Sequence, residues 1–90
     1  MTSKDEIKKY RDEIDGIDEK MVELFARRME CAEKIGELKQ SGNIQILDSG
    51  REDEVLRAAL SRSPQNMKNE VTAFMRAVMD ISKARQSKII

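Results

Sequence analysis

Residues 7–39, IKKYRDEIDGIDEKMVELFARRMECAEKIGELK, decide the fold of this chain. Written in sevens, the stretch repeats apolar residues along two adjacent edges of one helix. The first edge carries Ile7, Ile14, Met21, Arg28 and Ile35, and the second carries Tyr10, Ile17, Leu24, Cys31 and Leu38. The pattern predicts a coiled-coil seam that Arg28 interrupts. A guanidinium at that position is costly unless an anion pairs with it.

Signals at both ends predict that this helix is long. Ser3 and Glu6 form a capping box, no proline follows, and the sequence 41–43, Ser-Gly-Asn, supplies a stop. A helix of roughly 37 residues spans about 55 Å, whereas a compact chain of this size is only about 30 Å across. Because nearly half of the seam would project beyond the fold of one chain, we predict an intertwined helical homodimer.

The composition favours an all-α protein. Charged residues make up 38% of the chain and aromatic residues 3%, which is typical of long, solvated helices with aliphatic seams. We expect residues 1–90 to form a single domain. Lysine plus arginine equals aspartate plus glutamate at 17 each, so the charge balance argues against a nucleic-acid or membrane partner.

The sequence also argues against several kinds of site and location. Its amino terminus lacks an apolar signal core, and no stretch approaches the ~20 apolar residues of a bilayer span, so we expect a cytoplasmic protein. The single cysteine, Cys31, cannot form an internal disulfide, and histidine is absent. A zinc site or a Ser-His triad is therefore disfavoured, and we expect neither metal nor cofactor.

A second, short helix follows a connecting loop at residues 42–47. Ile44 and Ile46 alternate in this loop, so we expect both to pack against the helices. Ser49 and Glu52 repeat the capping-box spacing, which places the helix start near Gly50. The expected buried face comprises Val55, Leu56, Ala59 and Leu60. The sequence 61–64, Ser-Arg-Ser-Pro, ends the helix because proline cannot continue it.

A third helix starts between Gln65 and Met67 and runs almost to the end of the chain. Apolar residues at alternating threes and fours mark its buried face. They are Met67, Val71, Phe74, Val78 and Ile81. The predicted architecture is therefore three helices, long, short and long, closed by dimerisation.

A group of cations indicates a site for a small anion. Arg28 and Lys39 lie eleven residues apart on the first helix, a phase difference of only about 20°, so both project from one face. Arg11 lies about 25 Å from Arg28 along that helix. It can reach this region only from the partner of an antiparallel dimer. Arg51, at the start of the second helix, is a fourth candidate.

These cations also have purely structural interpretations. Arg28 can serve only to fix the register or oligomeric state of the coiled coil. Arg11 and Lys39 can be solvated or paired with nearby glutamates, as most charges on such helices are.

The polar candidates outside the first helix are open to structural interpretations as well. Asp48, Ser49 and Glu52 are typical helix-capping residues. Ser82 and Gln86 lie four residues apart and share one helical face, but they also fit an ordinary solvated tail.

The residues resemble those of the small, all-helical chorismate mutases. The matching positions are Arg11, Ile14, Ile17, Asp18, Lys20, Leu24, Arg28, Ala32, Ile35, Gly36, Lys39, Asp48, Arg51, Glu52, Ser82 and Gln86. The resemblance implies a dimer in which each of two active sites takes one arginine from the partner. It also implies the [3,3] rearrangement of chorismate to prephenate, on the route to phenylalanine and tyrosine, without nucleophile, metal or redox cofactor.

The resemblance further implies a role for each cation. Arg11 of the partner subunit and Arg28 would bind the two carboxylates of chorismate. Lys39 and Gln86 would donate to the ether oxygen, where negative charge develops during the reaction.

It assigns the remaining positions to the wall of the pocket. Glu52 and the backbone of Asp48 would hold the ring hydroxyl. Arg51 and Ser82 would complete the polar wall, and Ile35 would pack against the ring.

Two other functions stay open at this point. Isochorismate-pyruvate lyase is similar in fold and uses a related cationic pocket, although the fuller polar set favours the mutase. A non-catalytic helical dimerisation module would leave Arg28, Lys39 and Arg51 without a shared ligand. A basic nucleic-acid binder is weaker still, because acidic residues match basic ones along the same helices.

The seam yields a direct test of the predicted interface. Leu24→Lys places a charge in the middle of the apolar seam, so we expect it to disrupt the dimer. Sedimentation velocity of the variant and the wild type measures the change. A stable, fully active Leu24→Lys dimer would contradict this placement of the interface.

Overall fold

A computed structural model describes residues 2–88, most of which lie in three α-helices. The helices are α1 (Ser3–Ser41), α2 (Ser49–Arg62) and α3 (Lys68–Lys88), and a 3₁₀ turn, Gln65–Met67, precedes α3. Within residues 2–88 there is no strand, and none of these helices is long and apolar enough to cross a membrane. The predicted all-α fold of long, short and long helices is confirmed.

The chain divides into two compact units, the first ending at Glu30 and the second beginning at Cys31. The first unit carries most of the α1 seam on a solvent-exposed surface. The exposed seam residues are Ile7, Tyr10, Ile14, Ile17, Met21 and Leu24. Leu24, for example, is 59% exposed, so the seam lies open to solvent in the single chain.

The amino terminus of α1 is capped one residue earlier than predicted. Thr2 Oγ1 accepts a hydrogen bond from the Asp5 backbone N–H at 3.2 Å. In return, the Asp5 carboxylate accepts from the Thr2 hydroxyl at 2.9 Å and from its N–H at 3.3 Å. This reciprocal pattern is a capping box. The predicted Ser3–Glu6 box is wrong because Ser3 is already helical and Thr2 takes the cap position.

The carboxyl terminus of α1 is closed by a Schellman motif. Asn43 has a left-handed backbone with φ 55°, a conformation that asparagine tolerates better than most residues. Its N–H donates to the Gln40 carbonyl at 3.2 Å, and the Ile44 N–H donates to the Lys39 carbonyl at 2.7 Å. The predicted stop at residues 41–43 is therefore confirmed.

Asp48, rather than Ser49, caps α2. Asp48 Oδ1 accepts a hydrogen bond from the Arg51 N–H at 3.0 Å. The predicted Ser49–Glu52 capping box is wrong because Ser49 is the first helical residue. Aspartate and serine are both good cap residues and stand here in adjacent positions, so the sequence leaves the start of α2 uncertain by one residue.

The end of α2 lies where the sequence predicted it, just before Pro64. The Ser63 N–H donates to the Leu60 carbonyl at 3.3 Å, and the Lys68 ammonium donates to the same carbonyl at 2.6 Å. A cation at this position gives a helix-end carbonyl a second donor and complements the helix dipole.

The predicted apolar faces are only partly buried. The α2 face, Val55, Leu56, Ala59 and Leu60, is half-buried throughout. On α3, Val78 is buried and Val71 half-buried, whereas Met67, Phe74 and Ile81 are exposed. A chain this small buries only a limited fraction of its surface on folding, so many of its apolar side chains stay exposed.

The isoleucines of the α1–α2 loop do not behave alike. Ile46 is half-buried, but Ile44 is 60% exposed. The Ile44 side chain lies against Gly42, at the end of α1, and its backbone N–H takes part in the Schellman motif, so the expected packing is much weaker for Ile44 than for Ile46.

Gly36 lies where α1 and α3 approach each other closely within the second unit. A Cβ added at Gly36 would lie 2.7 Å from the Gln86 carbonyl oxygen and 2.8 Å from the Gln86 Cα. Both neighbours are backbone atoms, so no side-chain rotation can relieve the clash. A larger residue at Gly36 would therefore push α3 away from α1.

We expect Gly36→Ala to lower the free energy of unfolding by about 1–3 kcal/mol, the usual cost of overpacking. Gly16→Ala is the matched control in the same helix, because a Cβ there meets nothing within 4 Å. It should raise the free energy of unfolding by about 0.5–1 kcal/mol, since alanine is the better helix former.

Urea unfolding followed by circular dichroism, at one fixed protein concentration, compares the two variants. Equal effects of the two substitutions would show that the contact between Gly36 and α3 is not tight.

Candidate active site

The polar face of α3 points into the second unit. Ser82 is 7% exposed and Gln86 9% exposed, so the interpretation of these two residues as a solvated tail is wrong. The Ser82 hydroxyl donates to the Val78 carbonyl at 2.9 Å. Gln86 is buried because its backbone lies directly against Gly36.

The Gln86 carboxamide has an unsatisfied buried oxygen. Its Oε1 has no hydrogen-bond partner among the described residues. A buried carboxamide oxygen of this kind is costly in a folded protein unless a further donor satisfies it. A half-turn of the carboxamide exchanges its oxygen and its NH₂ group, so this position can present either an acceptor or a donor.

Lys39 is half-buried and anchored rather than freely solvated. Its ammonium donates to the backbone carbonyl of Ile46 at 2.7 Å. An ammonium carries three donors, so this bond fixes the group while leaving it able to donate to a ligand. Ile35, one turn earlier on the same face of α1, is 45% exposed.

The amino terminus of α2 holds three of the predicted site residues. The structure confirms the capping interpretation of Asp48, whose backbone carbonyl also accepts from the Glu52 N–H at 3.0 Å. Arg51 is exposed and Glu52 half-buried.

Glu52 pairs with a residue that the sequence analysis missed. The Lys83 ammonium on α3 lies 3.0 Å from the Glu52 carboxylate, and 3.5 Å from that of Asp80. The hydrogen bond to Glu52 is the main reason why the pKa of Lys83 is raised, and the charges of Glu52 and Asp80 add to it against the effect of burial. Lys83 directly follows Ser82 and lies three residues before Gln86, and this position could have indicated from the sequence that it lies near the candidate site.

A second ion pair joins α3 to α1 beside Gln86. Arg85 pairs with Glu33, and the Arg85 Nε is buried without a partner among the described residues. The turn of α3 at residues 82–86 therefore contacts α1 through Arg85 and Gln86, and α2 through Lys83.

Most of the predicted site residues belong to the second unit. They are Ile35, Lys39, Asp48, Arg51, Glu52, Ser82 and Gln86. Arg11 and Arg28 belong to the first unit, in which Arg11 is exposed and Arg28 half-buried. Their roles stay predictions.

The second unit thus supplies ammonium, guanidinium and amide donors together with two carboxylates and the acceptor oxygen of the Ser82 hydroxyl. This set suits the binding of a small, anionic ligand that also carries a hydroxyl group.

Comparisons with known proteins agree on one family. A family model described as chorismate mutase type II matches residues 10–87. The chain is 34% identical over 83 residues to a bifunctional chorismate mutase/prephenate dehydratase of Buchnera aphidicola subsp. Acyrthosiphon pisum (strain APS), covering 90% of this chain and 22% of that protein. It is 39% identical over 56 residues to a protein of the same description from Aquifex aeolicus (strain VF5), covering 62% of this chain and 16% of that protein.

The chain therefore spans about a fifth of the length of these curated relatives. No solved structure gives a significant match.

The Lys83–Glu52 pair predicts a pH dependence of stability. Because the folded-state pKa of Lys83 is raised above its ordinary value of 10.5, the pair contributes fully below that pH. The contribution is lost as the pH rises through the folded-state pKa. We therefore expect the difference in free energy of unfolding between the wild type and Lys83→Met to shrink as the pH rises above 10.5.

Urea unfolding over a pH series measures this difference, and the same comparison in a Glu52→Gln background is the control. There the partner is absent, so Lys83→Met should show a weaker dependence on pH. A difference that stays constant with pH in the wild-type background would contradict the prediction.

Proposed function

Because the chain belongs to the chorismate mutase type II family, we propose that it catalyses the rearrangement of chorismate to prephenate. The family match covers residues 10–87, and the names of both relatives include this activity. The structural observation that carries the proposal is the buried Gln86 carboxamide with its unpartnered Oε1. An inward-facing polar group without a partner is expected where a ligand completes the hydrogen bonding.

The reaction needs no proton transfer and no leaving group. Within one molecule, the ether C–O bond breaks while a C–C bond forms. The protein has to hold a flexible dicarboxylate in a compact, chair-like conformation and stabilise the charge that grows on the ether oxygen. Fixed hydrogen-bond donors meet both requirements.

In the proposed mechanism, Lys39 and Gln86 donate to the ether oxygen, Gln86 through its NH₂ group after the half-turn that brings this group to the unpartnered position of Oε1. The bond from Lys39 to the Ile46 carbonyl supports this role because it holds the ammonium in place before the substrate binds. Lys39 acts mainly on the transition state, since the ether oxygen is neutral in chorismate and becomes negative only as the bond breaks.

Arg28 and Arg11 of the partner subunit bind the two carboxylates in this proposal. The proposal includes a homodimer because helix geometry places Arg11 about 25 Å from Arg28 along α1, so that Arg11 of the partner subunit would serve the site. The exposed seam on the first unit supports such a dimer, since a row of apolar side chains in water favours association.

The other site residues surround the ring of the substrate. Glu52 and the backbone of Asp48 hold the ring hydroxyl, Arg51 and Ser82 complete the polar wall, and Ile35 packs against the ring. The partial exposure of Ile35 leaves apolar surface for this contact. A cytoplasmic location and a single catalytic domain at residues 1–90 stay predictions.

The test of this function is the turnover of chorismate, followed by its ultraviolet absorbance. We expect the wild type to form prephenate and Lys39→Ala to lower kcat by about 10²–10³-fold, the usual effect of removing a transition-state donor. Lys34→Ala is the matched control, because Lys34 lies on the same helix with its side chain 78% exposed. A Lys39→Ala variant with the wild-type kcat would contradict the proposed role.

Chromatographic identification of the products separates the other functions. Release of pyruvate from isochorismate, with chorismate untouched, would identify a lyase. A folded dimer that converts neither compound would instead be a helical dimerisation module.

A further inference from the structure

The ion pair between Lys83 and Glu52 differs from the pairs along α1. Its two side chains are 34% and 30% exposed, whereas those of Lys8 and Asp12 are 76% and 61% exposed. It also joins two helices, α3 and α2, instead of two turns of one helix. A pair that is shielded in this way is less screened by solvent and salt than an exposed one.

The position of Lys83 places it among the proposed site residues. Lys83 follows Ser82 directly and lies three residues before Gln86, so Lys83 and Gln86 are neighbours on the helix surface. Its other partner, Asp80, is 3.5 Å away, and the Asp80 side chain is 76% exposed. Glu52, at 3.0 Å, is therefore the main partner.

The proposed substrate creates an electrostatic conflict with Glu52. Chorismate carries two carboxylates, and a bare glutamate in the same pocket would repel both. The glutamate is nevertheless needed as an acceptor for the ring hydroxyl. A cation bound to the far side of its carboxylate removes the repulsion while one oxygen stays available to accept the hydroxyl hydrogen bond.

We propose that Lys83 is a positioning residue of the active site, which aims the Glu52 carboxylate at the ring hydroxyl and neutralises its charge towards the dianionic substrate. This inference rests on the proposed function. The raised pKa of Lys83 is consistent with it, because Lys83 stays protonated throughout the neutral range.

The role has a specific kinetic signature. The two substrate carboxylates are charged in chorismate and in the transition state alike, so the repulsion from Glu52 acts on both equally. Removing Lys83 should therefore raise KM and leave kcat unchanged. Loss of Lys39, by contrast, should lower kcat.

We expect Lys83→Met to raise KM about tenfold with kcat within about twofold of the wild type. Lys83→Arg, which keeps the charge, should restore a KM close to that of the wild type. Asp80→Asn is the matched control, since it removes only the exposed partner of Lys83, and its KM should equal that of the wild type.

A second background tests whether Lys83 acts through Glu52. In Glu52→Gln the charge to be neutralised is absent, so adding Lys83→Met should change KM little. An equal rise of KM in both backgrounds would overturn the inference, because Lys83 would then act on the substrate directly. A fall in kcat with no change in KM would overturn it as well.

The wild type is assayed first, with the folding of each variant checked by circular dichroism. Failure of the wild type to convert chorismate would overturn both the proposed function and this inference. Conversion by the wild type with an unchanged KM in Lys83→Met would overturn the inference alone. Lys83→Gln provides a second neutral variant should Lys83→Met fail to fold.

Discussion

The second unit depends on the contact between Gly36 and the backbone of Gln86. Without a side chain at Gly36, α3 comes so close to α1 that even a methyl group would meet backbone atoms at less than 3 Å. This approach buries Gln86 and, one turn earlier, Ser82. It also brings Arg85 to Glu33. The polar face of α3 is thus internal because one residue of α1 is small, a clear case of packing that overrides residue polarity.

The helices could be predicted from the sequence because their signals are local. Heptad spacing, a single proline and a turn sequence at residues 41–43 determine where the helices lie, and each acts within a few residues. The predicted cap residues of α1 and α2 each lie one position after the actual ones, Thr2 and Asp48, because neighbouring residues have the same capping chemistry. In each case the next residue is a serine, and the sequence alone does not show which of the two neighbours caps the helix.

The environment of the candidate site residues could not be predicted in the same way. Burial of Ser82 and Gln86, and the pairing of Glu52 with Lys83, depend on contacts between helices that are distant in sequence. A lysine on a charged helix gives no local sign of a partner on another helix. The resemblance to known enzymes indicated most of the candidate site residues but not Lys83, because it covers only the positions that match the family.

The segment between α1 and α2 is held at three successive points. The Schellman motif fixes its start, the ammonium of Lys39 holds the Ile46 carbonyl, and Asp48 caps the next helix. Surface loops usually accept extra residues at small entropic cost, but here each added residue would shift the Lys39 ammonium or a helix cap. This connection is therefore a poor place for a peptide tag, a circular permutation or a change of loop length. The turn at residues 61–64 contains no proposed site residue and is the better place for such engineering.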